Sequence, residues 1–193
     1  LKDTLKDAPE EKKLDHITRT GLEVVGVDVK VVDDSGNDVA WDGSTIGEII
    51  VRGDNVMKGY WKLPEETEKA IRNGYFYTGD LATVDEEGYV FIVDRAKDII
   101  ISGGENISSI EVENVLYTHP DVLECAVIAH PDPRWGEVPK AVVSLKSGSK
   151  ADEKSLMDYC KERMPGFKTP KVIEFVEELP KTGSGKIRKV DLR

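Results

Sequence analysis

The texture of this chain changes once, at Asp94, and that change constrains the fold more than any other feature. Before it, short apolar runs are separated by Gly, Asp and Asn turns; after it, strand-like runs alternate with runs of helical period. In the first stretch Val25, Val27, Val29 and Val31 alternate with Gly26, Asp28 and Lys30, a strand pattern ending in the turn Asp33-Asp34-Ser35-Gly36. Residues 48–53 read as a second strand. Residues 64–71 predict a short helix with Pro64 in its first turn, closed by Asn73-Gly74. Apolar runs at 75–77, 81–84 and 89–93 predict three more strands, the last two joined at Asp85-Glu86-Glu87-Gly88. Ahead of all this, residues 1–16 are densely charged and predict a helical or irregular connector with little to bury.

After Asp94, Ser102-Gly103-Gly104 predicts a hairpin turn. Ser108 with Glu111 three residues on has capping-box spacing, and Val112, Val115 and Leu116 share one helical face. Strands follow at 123–129 and 138–145, then a helix over 152–164 carrying Leu156, Cys160 and Met164 at four-residue steps, and a last strand at 172–176. The expected class is α+β: a β-rich, distorted barrel-like subdomain over 1–94, then a small α/β domain over 95–193 whose short sheet is flanked by helices.

A chain of 193 residues is long enough to bury cores of this kind. Its 27 basic and 37 acidic side chains leave a net charge of −10, which argues against general nucleic-acid or membrane-surface binding. No apolar run reaches membrane-spanning length, so no transmembrane segment is expected. Cys125 and Cys160 lie in apolar periodic segments without ligand spacing, and read as core residues of a reduced, cytoplasmic protein. His16, His119 and His130 are far apart in sequence, and no structural metal is expected. The chain opens on Leu1, a hint that it belongs to something longer.

The basic tail, "PKTGSGKIRK" from Pro180 to Lys189, looks built to meet phosphate. A P-loop would need Ser or Thr after Lys186, and Ile187 stands there; the seven residues beyond Lys186 leave no room for the helix that would hold the phosphates. Other polar and glycine-rich segments have bland readings when taken singly. Gly79-Asp80 is turn chemistry, Asp94-Arg95 is a surface ion pair, and Ser102-Gly103-Gly104 is a tight turn.

In order and in register, however, "VMKGYW", "GYFYTGD", "GYVFIVDRAKDIIISGGENISS", "IEVENVLYTHPDV", "DPRWGEVPKAVV" and "ELPKTGSGKIRK" resemble the later core motifs of the adenylate-forming (AMP-binding) superfamily. The resemblance runs from Gly21 to the tail and is greatest to a fatty-acid or short- to medium-chain acyl-CoA ligase. It implies that Asp80 binds the ribose hydroxyls of ATP and of the acyl-adenylate, and that Arg95 meets the ribose and phosphate region. It implies that Lys97 is the hinge about which the small domain rotates. Gly103 and Gly104 would border the channel for the pantetheine arm of CoA, and Lys186 would be the adenylation lysine bridging carboxylate and α-phosphate. ATP, Mg2+ and CoA are the implied cofactor and co-substrates, and a small carboxylic acid is the implied substrate. The cysteines have no role in this chemistry.

The superfamily's phosphate loop, adenine-binding segment, acyl pocket and magnesium-associated glutamate all lie upstream of anything here. The chain thus resembles the C-terminal third of such a ligase, whose missing N-terminal part is its first partner, and it is expected to form no acyl-adenylate alone. A peptide-synthetase adenylation domain, a luciferase-like oxidase or an aryl-CoA ligase would share these motifs. A binding module that kept the fold without turnover is the non-enzymatic alternative, and Asp80, Arg95 and Lys186 together speak against it.

Overall fold

The computed structural model describes residues 5–193, apart from the side chains of Asp15 and Thr18. The chain divides into two compact units, Leu1–Lys97 and Asp98–Arg193. The α+β class read from the sequence holds. The division falls three residues later than the sequence suggests, because the last strand of the first unit continues through Arg95.

The first unit contains α1 (Glu10–Thr18), β1 (Val27–Val32), β2 (Gly47–Gly53), α2 (Pro64–Ala70), β3 (Ile71–Arg72), β4 (Tyr75–Val84) and β5 (Val90–Arg95). Its strands form one antiparallel sheet in the order β1-β2-β4-β3, with β5 also pairing with β4. The alternation that marked β1 delivers Val31 to a core shared with Ile49, Ala82, Val84 and Val90. Two expectations fail here. The runs at 75–77 and 81–84 are one strand of ten residues, because Thr78-Gly79-Asp80 forms a bulge and not a turn. The N-terminal connector does bury side chains: Leu5 is 1% exposed, and His16 packs edge-on against Tyr89 with ring centroids 4.9 Å apart. The part of that connector at residues 1–4 lies outside the described residues.

After a 3-10 turn over Ala96–Asp98, the second unit comprises β6 (Ile100–Ser102), β7 (Glu105–Ile107), α3 (Ser109–Tyr117), β8 (Val122–Asp132), β9 (Gly136–Leu145), α4 (Glu153–Lys161) and β10 (Val172–Phe175). A further 3-10 turn, Lys189–Leu192, ends the chain. β9 is central: it pairs antiparallel with β8 and β6 and parallel with β10, α4 supplying the crossover that a parallel pair requires. Along β8, Cys125 and Val127 join α3 and α4 in the main core, while Ala126 joins Val142 and Leu179 in a second cluster. Successive strand residues point to opposite faces, so the two helices cover one face of this sheet. The other face is covered by the tail, with Val176, Ile187 and Leu192 packed on that second cluster.

Helix ends follow local chemistry. Ser108 Oγ accepts from Glu111 N–H at 3.2 Å and caps α3, while the Glu111 carboxylate, expected to complete a capping box, holds Lys168 Nζ at 2.6 Å. A full capping box does form, at Asp152 and Ser155, and starts α4. That helix ends at Lys161, short of the expected Met164, which remains in the core with its N–H on Cys160 O.

Candidate active-site residues

Asp80 and Arg95 are brought together by strand register. Through Val84, Thr83 and Ala82 the β4–β5 ladder would set Asp80 opposite Asp94, carboxylate against carboxylate. One extra residue, Val93, shifts the register, and Asp80 faces Arg95 instead. Arg95 Nε donates to Asp80 Oδ1 at 2.7 Å. Asp94 is buried, its Oδ1 accepting the Arg95 backbone N–H, so the surface pair Asp94–Arg95 expected from sequence is replaced by a pair across the sheet.

On its other side β4 bulges against β2, where the three residues 78–80 stand opposite Ile49 alone. Side chains satisfy the backbone there: Thr78 Oγ1 donates to Ile49 O at 2.8 Å and accepts from Asp80 N–H at 3.1 Å, and Gly79 N–H donates to Glu48 Oε1 at 2.9 Å. Gly79 adopts φ +73°, a conformation costly for any side chain bearing a Cβ. Asp80 and Arg95 side chains are 29% and 52% exposed, so their pair adds little stability. It can therefore reorganise around a polar ligand at small cost. Asp80 Oδ2 has no donor among the described residues.

Lys97 is exposed in the 3-10 turn and is the last residue of the first unit, with Asp98 the first of the second. Gly103 and Gly104 form the β6–β7 turn with φ +60° and +90°. Gly103 N–H donates to Trp135 O at 2.9 Å, and a Cβ on Gly103 would stand 2.8 Å from the Trp135 ring. Trp135 is half exposed in the β8–β9 turn, with the Arg134 guanidinium 4.6 Å from its ring centroid. The sequence reading missed this indole. An aromatic within Asp132-Pro133-Arg134-Trp135-Gly136, in a turn where solvent exposure is the rule, was the signal for it.

Lys186 sits on an ordered loop. Lys181 and Ile187 form a β-bridge, Thr182 N–H donates to Lys186 O at 2.8 Å, and Lys186 N–H donates to Thr182 Oγ1 at 3.1 Å. The four-residue 3-10 turn Lys189–Leu192 follows the loop. The Lys186 ammonium is exposed and has no ion-pair partner among the described residues.

Among the described residues one group of metal-capable side chains comes together, His16, Asp85 and Glu87, because α1 folds back on the β4–β5 turn. The donors do not suit a cation. Arg19 donates to Asp85 Oδ2 at 2.8 Å, Tyr89 N–H donates to Oδ1 at 2.8 Å, and His16 Nε2 lies 3.1 Å from Oδ2. A guanidinium on the same oxygen repels a metal ion, and Mg2+ prefers an all-oxygen shell. The cluster is a charge node tying α1 to the sheet, and the Mg2+ implied by the resemblance finds no fitting ligand set in it.

The first unit thus aims a carboxylate–guanidinium pair outward from its antiparallel sheet, and the second unit presents a glycine turn and a lysine loop. The chain belongs to the AMP-binding, adenylate-forming family. The AMP-binding enzyme family matches residues 4–61 and the AMP-binding enzyme C-terminal domain matches residues 111–186. A probable acyl-activating enzyme 5, peroxisomal, of Arabidopsis thaliana is 52% identical over 91% of this chain and 32% of its own length. A feruloyl-CoA synthase of Amycolatopsis is 51% identical over 93% and 36%. The structure of o-succinylbenzoate CoA synthetase from Bacillus subtilis, in complex with its acyl-adenylate intermediate, superposes with TM-score 0.86 at 37% identity over 95% of this chain and 37% of that one. The chain thus spans about a third of the length of these relatives.

Proposed function

We propose that this chain is the C-terminal part of an ATP-dependent acyl-CoA ligase. In the first half-reaction a carboxylate oxygen attacks the α-phosphorus of ATP, forming the acyl-adenylate as pyrophosphate leaves. In the second, the CoA thiol attacks the acyl carbon and AMP leaves with the bonding electrons.

The observation that carries the reading is the register shift that sets Asp80 against Arg95 within a sequence whose relatives are CoA ligases. Asp80 accepts from vicinal ribose hydroxyls through its two oxygens, and Arg95 fixes that carboxylate and faces phosphate. Lys186, a compact cation on an exposed loop, neutralises charge developing at the α-phosphate. Lys97 supplies the hinge by which the second unit, residues 98–193, changes partners between half-reactions. Gly103 and Gly104 then line the CoA channel. No fitting ligand set for Mg2+ is found among the described residues; its ligands would lie upstream, as would the acid pocket, and the ion would there supply positive charge to the phosphates.

The motif resemblance favours a fatty or medium-chain acid. Relatives named for aromatic acids, a feruloyl-CoA synthase and a benzoate–CoA ligase, put ferulate and benzoate beside octanoate at the head of a substrate panel. No helix among the described residues is long and apolar enough to cross a membrane. A cytoplasmic location is proposed, with a peroxisomal one as the alternative that imaging of the tagged full-length protein decides.

The test is acid-dependent pyrophosphate release by the full-length protein, beside Lys186→Ala. Release with one acid class, falling about a hundredfold or more in the variant, is the expected result. The isolated chain is expected to release none. Equal rates in wild type and variant would remove Lys186 from the chemistry.

A further inference from the structure

The loop bearing Lys186 is closed by its own bonds to Thr182 while the ammonium faces solvent, so where that ammonium can reach depends on how the ends of the loop are anchored to the rest of the unit. Five residues before Lys186, Lys181 Nζ lies 2.8 Å from Glu124 Oε1 on β8. Three residues after it, Lys189 Nζ lies 2.7 Å from Glu113 Oε1 and donates to Ser109 Oγ at 2.6 Å, both on α3. Between these anchors Ile187 packs on Ala126 and Val142, and at the end of the tail Arg193 pairs with Asp98.

The two flanking pairs are not equivalent. Lys181 and Glu124 side chains are 32% and 30% exposed, whereas Lys189 and Glu113 are 17% and 14% exposed. Water and salt screen the first pair strongly and the second far less. Glu113 Oε1 also accepts Val127 N–H at 2.7 Å, so one carboxylate ties together α3, the core strand β8 and the tail. Resting on the ligase reading above, we infer that Glu113 and Lys189 are positioning residues for adenylation, fixing where Lys186 can reach.

The inference separates from a merely structural role because the two half-reactions need different things of this unit. Lys186 serves only the first. A misplaced ammonium should lose transition-state contact and leave ground-state binding intact, and an error of about 1 Å can cost on the order of a hundredfold. The experiment uses the full-length protein with ferulate, or the fastest acid of the panel, and that acid's synthetic adenylate. Lys189→Met and Glu113→Gln are measured beside wild type, with Lys189→Arg as the charge-keeping control. The expected result is a fall of about 10- to 100-fold in kcat for pyrophosphate release, with KM for ATP and acid and the rate of thioester formation from supplied adenylate held within about twofold. Lys189→Arg should recover part of the loss. Equal losses in both half-reactions, including by unfolding, or no loss in either for both Lys189→Met and Glu113→Gln, overturns the positioning role. A wild-type protein that releases no pyrophosphate with any acid overturns the ligase reading as well, and so is told apart.

Discussion

At the scale of residues, identities were legible and partnerships were not. Asp80, Arg95 and Lys186 could each be picked out by residue type and motif. That Asp80 meets Arg95 and not Asp94 depends on one extra residue in β5, Val93, whose effect on pairing leaves no mark in hydrophobic pattern. The buried contacts of Leu5 and His16 were missed for a related reason: a charged segment reads as solvated, while the burial of its few apolar and aromatic side chains depends on where the chain folds back. Both cysteines are buried, as their apolar periodic segments predict, and their surroundings sharpen that into a prediction. Burial pushes the Cys125 thiol up to about 12, with Glu113 adding to the shift, and burial pushes the Cys160 thiol up to about 11. Only the thiolate reacts quickly, so at pH 7 and 8 both should resist iodoacetamide in the native protein and label fully in denaturant. Rapid labelling of either in the native state, followed by mass spectrometry, would contradict this burial.

At the scale of elements, strand and helix positions followed the sequence periods, and errors gathered where side chains bond to backbone. Thr78, Gly79 and Glu48 let β4 run on through a stretch whose Gly-Asp chemistry looks like a turn. The same kind of competition decided the caps: Ser108-x-x-Glu111 and Asp152-x-x-Ser155 have equal spacing, yet only the second closes reciprocally, because Lys168 takes the Glu111 carboxylate. The two members of the first motif should therefore differ in worth. Ser108→Ala removes a buried cap and should cost about 0.5–2 kcal/mol. Glu111→Ala loses a partly exposed ion pair and should cost no more than about 1 kcal/mol. Urea midpoints of the two variants measure the difference; equal losses would mean that Glu111 also serves the cap.

At the scale of the whole molecule, the change of texture falls near Asp94, and a separate core lies on each side of it. Val31, Ile49, Ala82 and Val84 belong to one; Val112, Leu116, Leu156 and Cys160 belong to the other. A small domain that moves between half-reactions has to carry its own stability, since contacts shared with a partner would be lost at each turn. The proposed ligase cycle thus requires energetic independence of the two units, which core truncations can test. Leu156→Ala leaves a cavity in the second unit and Ile49→Ala leaves one in the first, each at about 2–5 kcal/mol. Hydrogen exchange followed by mass spectrometry should show faster exchange of the core amides of β8 and β9 in Leu156→Ala, with β1 and β2 unchanged, and the reverse in Ile49→Ala. If either truncation loosens both sheets alike, the units unfold as one. The second unit would then be no free-standing body, and a rotation about Lys97 that leaves each core intact would be excluded.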